Sequence, residues 1–153
     1  MALRLDVITL FPDAFSSILA SSIVGRALRE GRVEVILTDL RDFATDARGT
    51  VDDKPFGGGP GMVLMCEPLF RAVEHVRRLH ETPGYVVLLT PQGERLAQAR
   101  VRDLSARARL ILVCGHYEGF DERIRTLADA EISVGDYVLT GGEVPAMIVI
   151  DAV

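Results

Sequence analysis

The stretch LILVC at residues 110–114, with VVLL at residues 86–89, decides the fold class. Both runs are apolar throughout, whereas a strand with one face in solvent alternates apolar and polar residues. Continuous apolar character is typical of strands that are covered on both faces. The two runs therefore predict an α/β fold in which a mainly parallel sheet is flanked by helices.

Strand and helix patterns alternate along the rest of the chain. Strands are predicted at residues 3–10, 33–40, 85–90, 110–114 and 131–134. Helical periodicity predicts helices at residues 15–29, 69–79, 95–106, 121–128 and 144–153. Gly31 is the predicted C-cap of the first helix, and Pro68 is placed in the first turn of the second.

Length and composition favour one globular domain over residues 1–153, since 48% hydrophobic and 25% charged residues are ordinary globular usage. The two cysteines, Cys66 and Cys114, make no disulfide framework, and no Cys/His cluster has the spacing of metal ligands. The N-terminal apolar run is short and is interrupted by Arg4 and Asp6. We expect a cytoplasmic protein without a membrane-spanning segment or a metal site.

The charge of the chain bears on nucleic-acid binding. A net charge of −5 argues against binding by bulk electrostatics. Arginines are clustered at residues 71–78 and 100–109, but their helical spacing favours a solvated helix face over a phosphate-binding patch. The composition does not exclude a nucleic-acid substrate.

Glycine-rich segments follow three of the predicted strands. Their sequences are LTPQG at residues 89–93, CGHYEGFDER at residues 114–123 and SVGDYVLTGGEVP at residues 133–145. In open α/β sheets, ligands bind beyond the carboxyl ends of the strands. The third segment interleaves apolar residues with glycines, which favours a flat ligand held by side chains and closely approaching backbone. We expect the three segments to enclose one crevice.

Two questions about the second segment stay open at this stage. Cys114 and His116 are a candidate nucleophile pair, but Cys114 completes an apolar strand, which favours a small buried hydrophobic role. Glu118 stands among glycines beside the predicted crevice. Its carboxylate is suited either to holding a cationic ligand or a hydroxyl, or to capping the helix that follows.

The irregular region at residues 44–62 contains DDKPFGGGPGM at residues 52–62. No GxGxxG follows a strand and no GxxxxGK[ST] occurs, so this glycine cluster is neither a dinucleotide fingerprint nor a P-loop. Two interpretations remain. The region is a flap, with an aromatic side chain to stack on a base and carboxylates to accept from the base's N–H groups, or it is a disordered surface loop.

Together these motifs resemble the bacterial tRNA (guanine-37-N1)-methyltransferases of the SPOUT superfamily. The likeness spans the chain, through DVITLFPDAF (6–15), DDKPFGGGPGM (52–62), LTPQG (89–93), CGHYEGFDER (114–123) and SVGDYVLTGGEVPAM (133–147). The resemblance implies a deep C-terminal trefoil knot within the α/β fold. It also implies methyl transfer from S-adenosylmethionine to N1 of the guanine immediately 3′ of the anticodon, position 37 of tRNA.

The resemblance assigns residues to the site. Those implied to bind S-adenosylmethionine are Leu89, Thr90, Pro91, Gly93, Gly115, Tyr117, Glu118, Gly119, Val134, Gly135, Asp136, Tyr137, Val138, Leu139, Gly141, Gly142 and Pro145. Those implied to receive the target guanine are Asp53, Phe56, Gly58 and Gly59. Glu118 is also a weak candidate for the general base, since the family's Asp base and an Arg just after the knot are expected beyond Val153.

Further implications concern assembly and length. The resemblance implies an obligate homodimer with active sites at its interface, which agrees with the apolar, uncapped helix predicted at residues 144–153. Members of the family continue into a helical C-terminal domain that binds tRNA, which these 153 residues do not include. For this chain alone we expect cofactor binding with impaired methyl transfer. A catalytically incomplete S-adenosylmethionine-binding and dimerisation module is therefore the alternative function. The sequence leaves open whether Mg²⁺ assists.

Overall fold

A computed structural model describes residues 2–53, 63–64, 66–115 and 122–153. Its strands are β1 (Leu3–Thr9), β2 (Val33–Asp39), β3 (Asp52–Asp53), β4 (Val63–Leu64), β5 (Tyr85–Arg95), β6 (Arg109–Cys114) and β7 (Ala130–Ser133). Its α-helices are α1 (Ser16–Ala20), α2 (Ser22–Arg29), α3 (Cys66–Arg78), α4 (Gln98–Ser105) and α5 (Glu143–Ala152). Short 3-10 helices cover Pro12–Phe15, Leu40–Phe43 and Glu122–Leu127.

The main sheet of the described chain has the strand order β2-β1-β6-β5-β7, and every neighbouring pair in it is parallel. The register places Leu110 opposite both Leu5 and Tyr85. β3 and β4 form a separate antiparallel pair, in which β3 lies inside the region predicted to be irregular and β4 directly follows that region. The predicted parallel sheet is confirmed, and β1, β2, β6 and β7 begin and end within one residue of their predicted bounds.

The core lies on both faces of the sheet, because successive side chains of a strand point to opposite sides. On β6, Ile111 and Val113 face one cluster, which includes Val73 and Val76 of α3. Leu110 and Leu112 face the other cluster, where Phe15, Leu104 of α4 and Val149 of α5 pack. Burial on both faces is the physical reason for the unbroken apolar runs in the sequence.

The prediction of one continuous helix over residues 15–29 is wrong, because the chain leaves the helical conformation at Ser21. Ser21 is extended, with φ −111° and ψ 148°, and it separates α1 from α2. The Ser21 hydroxyl donates to the Ser17 carbonyl at 2.6 Å, and Ser22 has a φ of +54°. Serine side chains compete with the helical backbone for hydrogen bonds, which accounts for a break inside an otherwise periodic stretch.

The predicted turn after the third long strand lies inside β5. Leu89 and Glu94 both align with Ile132 of β7, so residues 90–93 bulge out of the ladder before pairing resumes. Pro91 has no N–H to donate to a ladder, and bulges tolerate proline for that reason. Because β5 continues to Arg95, the predicted helix 95–106 is shorter, and α4 begins at Gln98.

The three remaining helix predictions differ in outcome. The helix predicted at residues 69–79 is confirmed as α3, which begins three residues earlier and has Pro68 in its first turn. The segment Glu122–Leu127 is a 3-10 helix rather than the predicted α-helix, and Asp121 lies outside the described residues. The C-terminal helix is confirmed as α5. Within the described ranges, no helix is long and apolar enough to cross a membrane.

Arg109 corrects the interpretation of its arginine cluster as a solvated helix face. It lies on β6, its side chain is fully buried, and its Nε donates to Asp6 Oδ2 at 2.9 Å. The rest of the guanidinium donates to the carbonyls of Val76, Arg77, His80 and Thr82, in and just after the last turn of α3. A cation there satisfies helix-end carbonyls and complements the helix dipole. Arg71, Arg77 and Arg78 are exposed, as predicted.

The connection from β7 to α5 crosses the sheet edge. β7 is the edge strand beside β5, whereas α5 packs on β6 and β1. Residues 134–142 therefore pass the carboxyl ends of β5 and β6 before α5 begins. Residues 116–121 lie outside the described residues, and the trefoil knot stays a prediction from the resemblance.

Candidate functional site

The described parts of the three predicted binding segments lie at one edge of the sheet. They follow or interrupt β6, β5 and β7, which are neighbours in that order and run in parallel. The carboxyl ends of these strands therefore place residues 90–93, Gly115 and residues 134–142 side by side. This is the position at which open α/β sheets bind ligands.

The first segment folds tightly against β7. A Cβ built on Gly93 would lie 2.4 Å from the backbone of Glu131 and Ile132, so no larger residue fits without a backbone shift. The Thr90 hydroxyl accepts from Gln92 N at 3.3 Å and closes the bulge. Leu89, just before it, is 2% exposed and belongs to the core. The signal that distinguishes this bulge from a turn is tertiary, since it depends on pairing with β7.

The third segment begins with a turn held by its own side chains. The Ser133 hydroxyl donates to Gly135 O at 2.9 Å and accepts from Gly135 N at 3.3 Å. Tyr137 Oη donates to Val134 O at 3.4 Å, with its ring over Gly135. Asp136 forms an ion pair with Arg95 at the end of β5. These contacts give the start of the segment a defined shape.

The middle of the third segment presents apolar side chains to solvent. Val138 is 85% exposed, Tyr137 is 55% exposed and Leu139 is 37% exposed. Val144 and Ile148 on α5 are also exposed. Contiguous exposed apolar side chains mark binding surfaces more often than scattered ones do.

The third segment ends in a close backbone crossing. Gly142 N donates to Gly115 O at 2.5 Å. A Cβ on Gly142 would lie 2.6 Å from Gly115 N and 2.7 Å from Cys114 Cα. Gly142 has φ −88° and ψ −1°, which other residues also adopt, so it is the close approach that requires glycine here.

Arg125 connects the elements that carry the segments, and sequence reasoning missed it. It lies in the 3-10 helix Glu122–Leu127 and donates to Gln92 Oε1 in the bulge of β5. Its Nε lies 3.2 Å from Glu131 on β7, and its Nη1 lies 3.3 Å from Glu122. Gln92 is 33 residues away from Arg125 in sequence, and Glu122 is at the i−3 spacing that is common on helices. No local sequence pattern therefore predicts that Arg125 connects these elements.

Cys114 does not have the environment of a nucleophile. It is 2% exposed, and burial, followed by the negative charge of Glu143, raises the pKa of its thiol well above the ordinary value of a cysteine. A protonated thiol is a poor nucleophile. The buried role favoured for Cys114 fits this environment, and His116 lies outside the described residues.

Several predicted site residues cannot be placed. Tyr117, Glu118, Gly119, Phe56, Gly58 and Gly59 lie outside the described residues. Asp53 belongs to β3, but its side chain is not described. Glu118 as a base and the flap as the guanine site therefore stay predictions. Among the residues that are described, no three His, Cys, Asp or Glu side chains are grouped to hold a metal ion.

Known proteins with the same sequence pattern identify the family. Residues 3–153 match the sequence profile described as tRNA (Guanine-1)-methyltransferase TrmD. The chain belongs to the TrmD family. It is 55% identical over 152 residues to the tRNA (guanine-N(1)-)-methyltransferase of Chloroflexus aurantiacus, with 99% of this chain and 60% of the relative covered. The corresponding protein of Geobacillus kaustophilus is 52% identical over 153 residues, with 99% of this chain and 62% of the relative covered.

A solved TrmD-family structure has the same fold. The crystal structure of tRNA (m1G37) methyltransferase from Aquifex aeolicus superposes with a TM-score of 0.92 at 45% identity, covering 99% of this chain and 68% of that one. The resemblance found from the motifs is thereby confirmed, and so is the α/β fold class. The chain spans about 60% of the length of the curated TrmD-family relatives it matches.

Proposed function

We propose that this protein transfers a methyl group from S-adenosylmethionine to N1 of guanine 37 in tRNA. The observation that carries the proposal is the TrmD-family match over residues 3–153, which includes the sequences of all three segments. Cytoplasmic localisation belongs to the same proposal, since tRNA is the proposed substrate.

The described residues fit an adenosine-type ligand. Gly142 and Gly115 meet backbone to backbone with no side chain between them, and Tyr137, Val138 and Leu139 of the same segment are exposed apolar side chains. Such sites are mostly apolar, with a few backbone groups that fix orientation. In the proposal, the residues that hold the donor are Leu89, Thr90, Pro91, Gly93, Gly115, Tyr117, Glu118, Gly119, residues 134–139, Gly141, Gly142 and Pro145. S-adenosylmethionine, when bound, supplies an electrophilic methyl group.

The protein's own contribution is to position the two reactants and to remove the N1 proton of the guanine. Holding two reactants in near-attack geometry lowers a barrier by up to ~7 to 11 kcal/mol in the best intramolecular cases. Removal of the N1 proton by a positioned base contributes about 10² to 10⁴-fold. Glu118 is the proposed in-chain base, with the family's Asp beyond Val153 as the stronger candidate. Mg²⁺ is tested separately, by assaying transfer with EDTA and with added Mg²⁺.

Calorimetry and a methylation assay test the proposal. The 153-residue chain is titrated with S-adenosylmethionine and with its demethylated product, and heats of binding are expected for both. Methylation is measured on a tRNA transcript with G37 and on a matched transcript with A37, by arrest of primer extension at position 37. Methylation of both transcripts, or no binding of either nucleoside, would refute the proposal.

The alternative is a binding and dimerisation module without transfer activity. It is favoured by the exposed apolar side chains of Tyr137, Val138, Val144 and Ile148, which are suited to a second copy of the chain. We propose a homodimer through this surface. In this case the chain binds S-adenosylmethionine but leaves the G37 transcript unmodified.

Light scattering after gel filtration tests the dimer. Ile148→Asp should yield monomers, because Ile148 is 40% exposed on α5 and the substitution would place a charge within the proposed surface. Leu79→Asp is the matched control, since Leu79 is 43% exposed just after α3, on the other face of the sheet. A wild-type monomer, or dissociation by Leu79→Asp alone, would contradict the assignment of this surface.

A further inference from the structure

Three polar side chains are buried together where the chain enters α5. Thr9 ends β1, Cys114 ends β6 and Glu143 begins α5. The Thr9 hydroxyl donates to Glu143 Oε2 at 2.8 Å and accepts from Phe11 N at 2.9 Å. The Cys114 thiol interacts with the same two side chains. Cys114 and Glu143 lie within the second and third segments, but Thr9, Cys114 and Glu143 are not among the residues implied to bind S-adenosylmethionine.

A buried carboxylate requires compensation, since an ion removed from water is costly unless it is paired or hydrogen-bonded. Thr9 is fully buried and Glu143 is 9% exposed. Glu143 occupies the first turn of α5, where free backbone N–H groups and the helix dipole favour negative charge. The Thr9 hydroxyl adds a bond to a residue 134 positions away in sequence.

The hydrogen bond between Thr9 and Glu143 lies one residue from the close backbone crossing of Gly142 and Gly115. Gly142 N donates to Gly115 O, and the next residue, Glu143, is fixed to the end of β1. The C-terminal end of the third segment is therefore held at two successive residues, one by its backbone and one by its side chain. Its N-terminal end is held by the Ser133 turn.

We propose that Glu143 is a positioning residue: through Thr9 it fixes the Gly142–Gly115 crossing and thereby the shape of residues 134–142. The inference rests on the proposed function where it concerns cofactor affinity. The position of the crossing itself does not depend on that function.

Amide hydrogen exchange in the ligand-free chain tests the first part. Thr9→Val removes the hydroxyl with little change of shape, and Glu143→Gln removes the charge with none. Each should speed exchange of the Gly142 amide and of the Ala146 amide, which donates to Gly142 O, by about tenfold, while Leu112 in β6 keeps its wild-type rate. The double variant should exchange no faster than the more affected single variant, because both changes act on the one bond between Thr9 and Glu143. Thr9→Val removes this bond, and Glu143→Gln replaces its charged acceptor by a weaker, neutral amide oxygen.

Asp129→Asn is the matched control. Asp129 Oδ2 accepts from Val86 N at 2.8 Å at the opposite end of the sheet, so this variant loses a carboxylate acceptor without touching the crossing. Asp129→Asn should speed exchange of the Val86 amide and leave the exchange rate of the Gly142 amide unchanged. Unchanged Gly142 exchange in Thr9→Val and Glu143→Gln would overturn the inference. Equal acceleration at Leu112 would also overturn it, since that marks general destabilisation.

Calorimetry tests the second part and separates it from the proposed function. At a temperature where all variants are folded, Thr9→Val and Glu143→Gln should raise the Kd for S-adenosylmethionine about tenfold, and Thr9→Ser, which keeps the hydroxyl, should restore it. If wild type binds and both variants bind equally well, the positioning role in binding is refuted while the proposed function stands. If wild type does not bind, the proposed function fails, and the exchange rates at Gly142 still decide the inference.

Discussion

Gly142→Ala adds one methyl group where the structure has no room for it. The new Cβ would lie 2.6 Å from Gly115 N, 2.7 Å from Cys114 Cα and 3.0 Å from Cys114 C, whereas ordinary contact begins at 3.4 Å. All three atoms are backbone of β6 or of the residue that follows it. A central strand cannot move as a flexible side chain can, so the crossing itself must open.

The size of the effect follows from two terms. Overpacking of a well-packed site typically costs about 1 to 3 kcal/mol. Opening the crossing also weakens the 2.5 Å bond from Gly142 N to Gly115 O, and a typical hydrogen bond contributes about 1 kcal/mol. We expect a loss of about 3 kcal/mol in the free energy of unfolding. For a domain of this size that corresponds to a decrease of roughly 6 to 12 °C in Tm.

Gly135→Ala provides the matched comparison, because the same methyl group meets a different kind of neighbour. Its Cβ would lie 2.2 Å from the Tyr137 ring, but that ring is 55% exposed and can rotate away. We expect Gly135→Ala to change Tm by less than about 3 °C and to raise the Kd for S-adenosylmethionine through the displaced ring. Thermal unfolding followed by circular dichroism measures both variants. Equal Tm values for the two variants would refute the argument that Gly142 is required by a close backbone crossing.

Three further predictions test the supporting network. Arg109→Met should lower the free energy of unfolding by about 3 to 5 kcal/mol, measured by urea denaturation, because it leaves four carbonyls and part of the Asp6 carboxylate without their buried donor; a midpoint close to wild type would contradict this. Arg125→Gln should change the free energy of unfolding by less than about 1 kcal/mol, since the ion pairs of Arg125 are partly exposed. It should nevertheless weaken S-adenosylmethionine binding, measured by calorimetry. A large loss of stability at unchanged Kd would contradict the role of Arg125 in shaping the binding segments. The raised pKa of Cys114 means that the unfolded chain loses this proton first, so the contribution of the thiol to stability is present below about pH 9 and declines at higher pH. The difference in unfolding free energy between wild type and Cys114→Ala should therefore shrink above pH 9, and a constant difference up to pH 10.5 would show that the thiol is not buried as described.

Much of the sheet could be predicted because its signal is local. The runs at residues 86–89 and 110–114 are apolar since both faces of β5 and β6 are covered, and that environment leaves a mark on every residue of the strand. The break at Ser21 and the bulge at residues 90–93 lack such a mark. The first depends on one serine side chain, and the second on pairing with β7, whose Ile132 lies 43 residues after Leu89 and 38 after Glu94.

The candidate site also has features that a sequence signal predicted and features that it did not. Glycine-rich segments at strand ends indicated a crevice because the topology of a parallel sheet brings those ends together. Arg109, Arg125 and Glu143 were missed because their roles depend on partners far away in sequence: Asp6 is 103 residues from Arg109, and Thr9 is 134 residues from Glu143. A charged residue that will be buried looks the same in sequence as one that will be solvated.

The glycines of the third segment have separate physical roles, which a count of glycines conceals. Gly142 has ordinary backbone angles, so selection of glycine there is explained by the 2.6 Å approach to Gly115 N rather than by conformation. The nearest neighbours of a Cβ on Gly135 belong to the exposed side chain of Tyr137. Since Gly142 contacts the end of β6 and Glu143 contacts the end of β1, the residues that close the fold also fix one end of the proposed binding segment. A substitution at the crossing should therefore change stability and affinity together, whereas a substitution at residues 135–139 should change affinity alone.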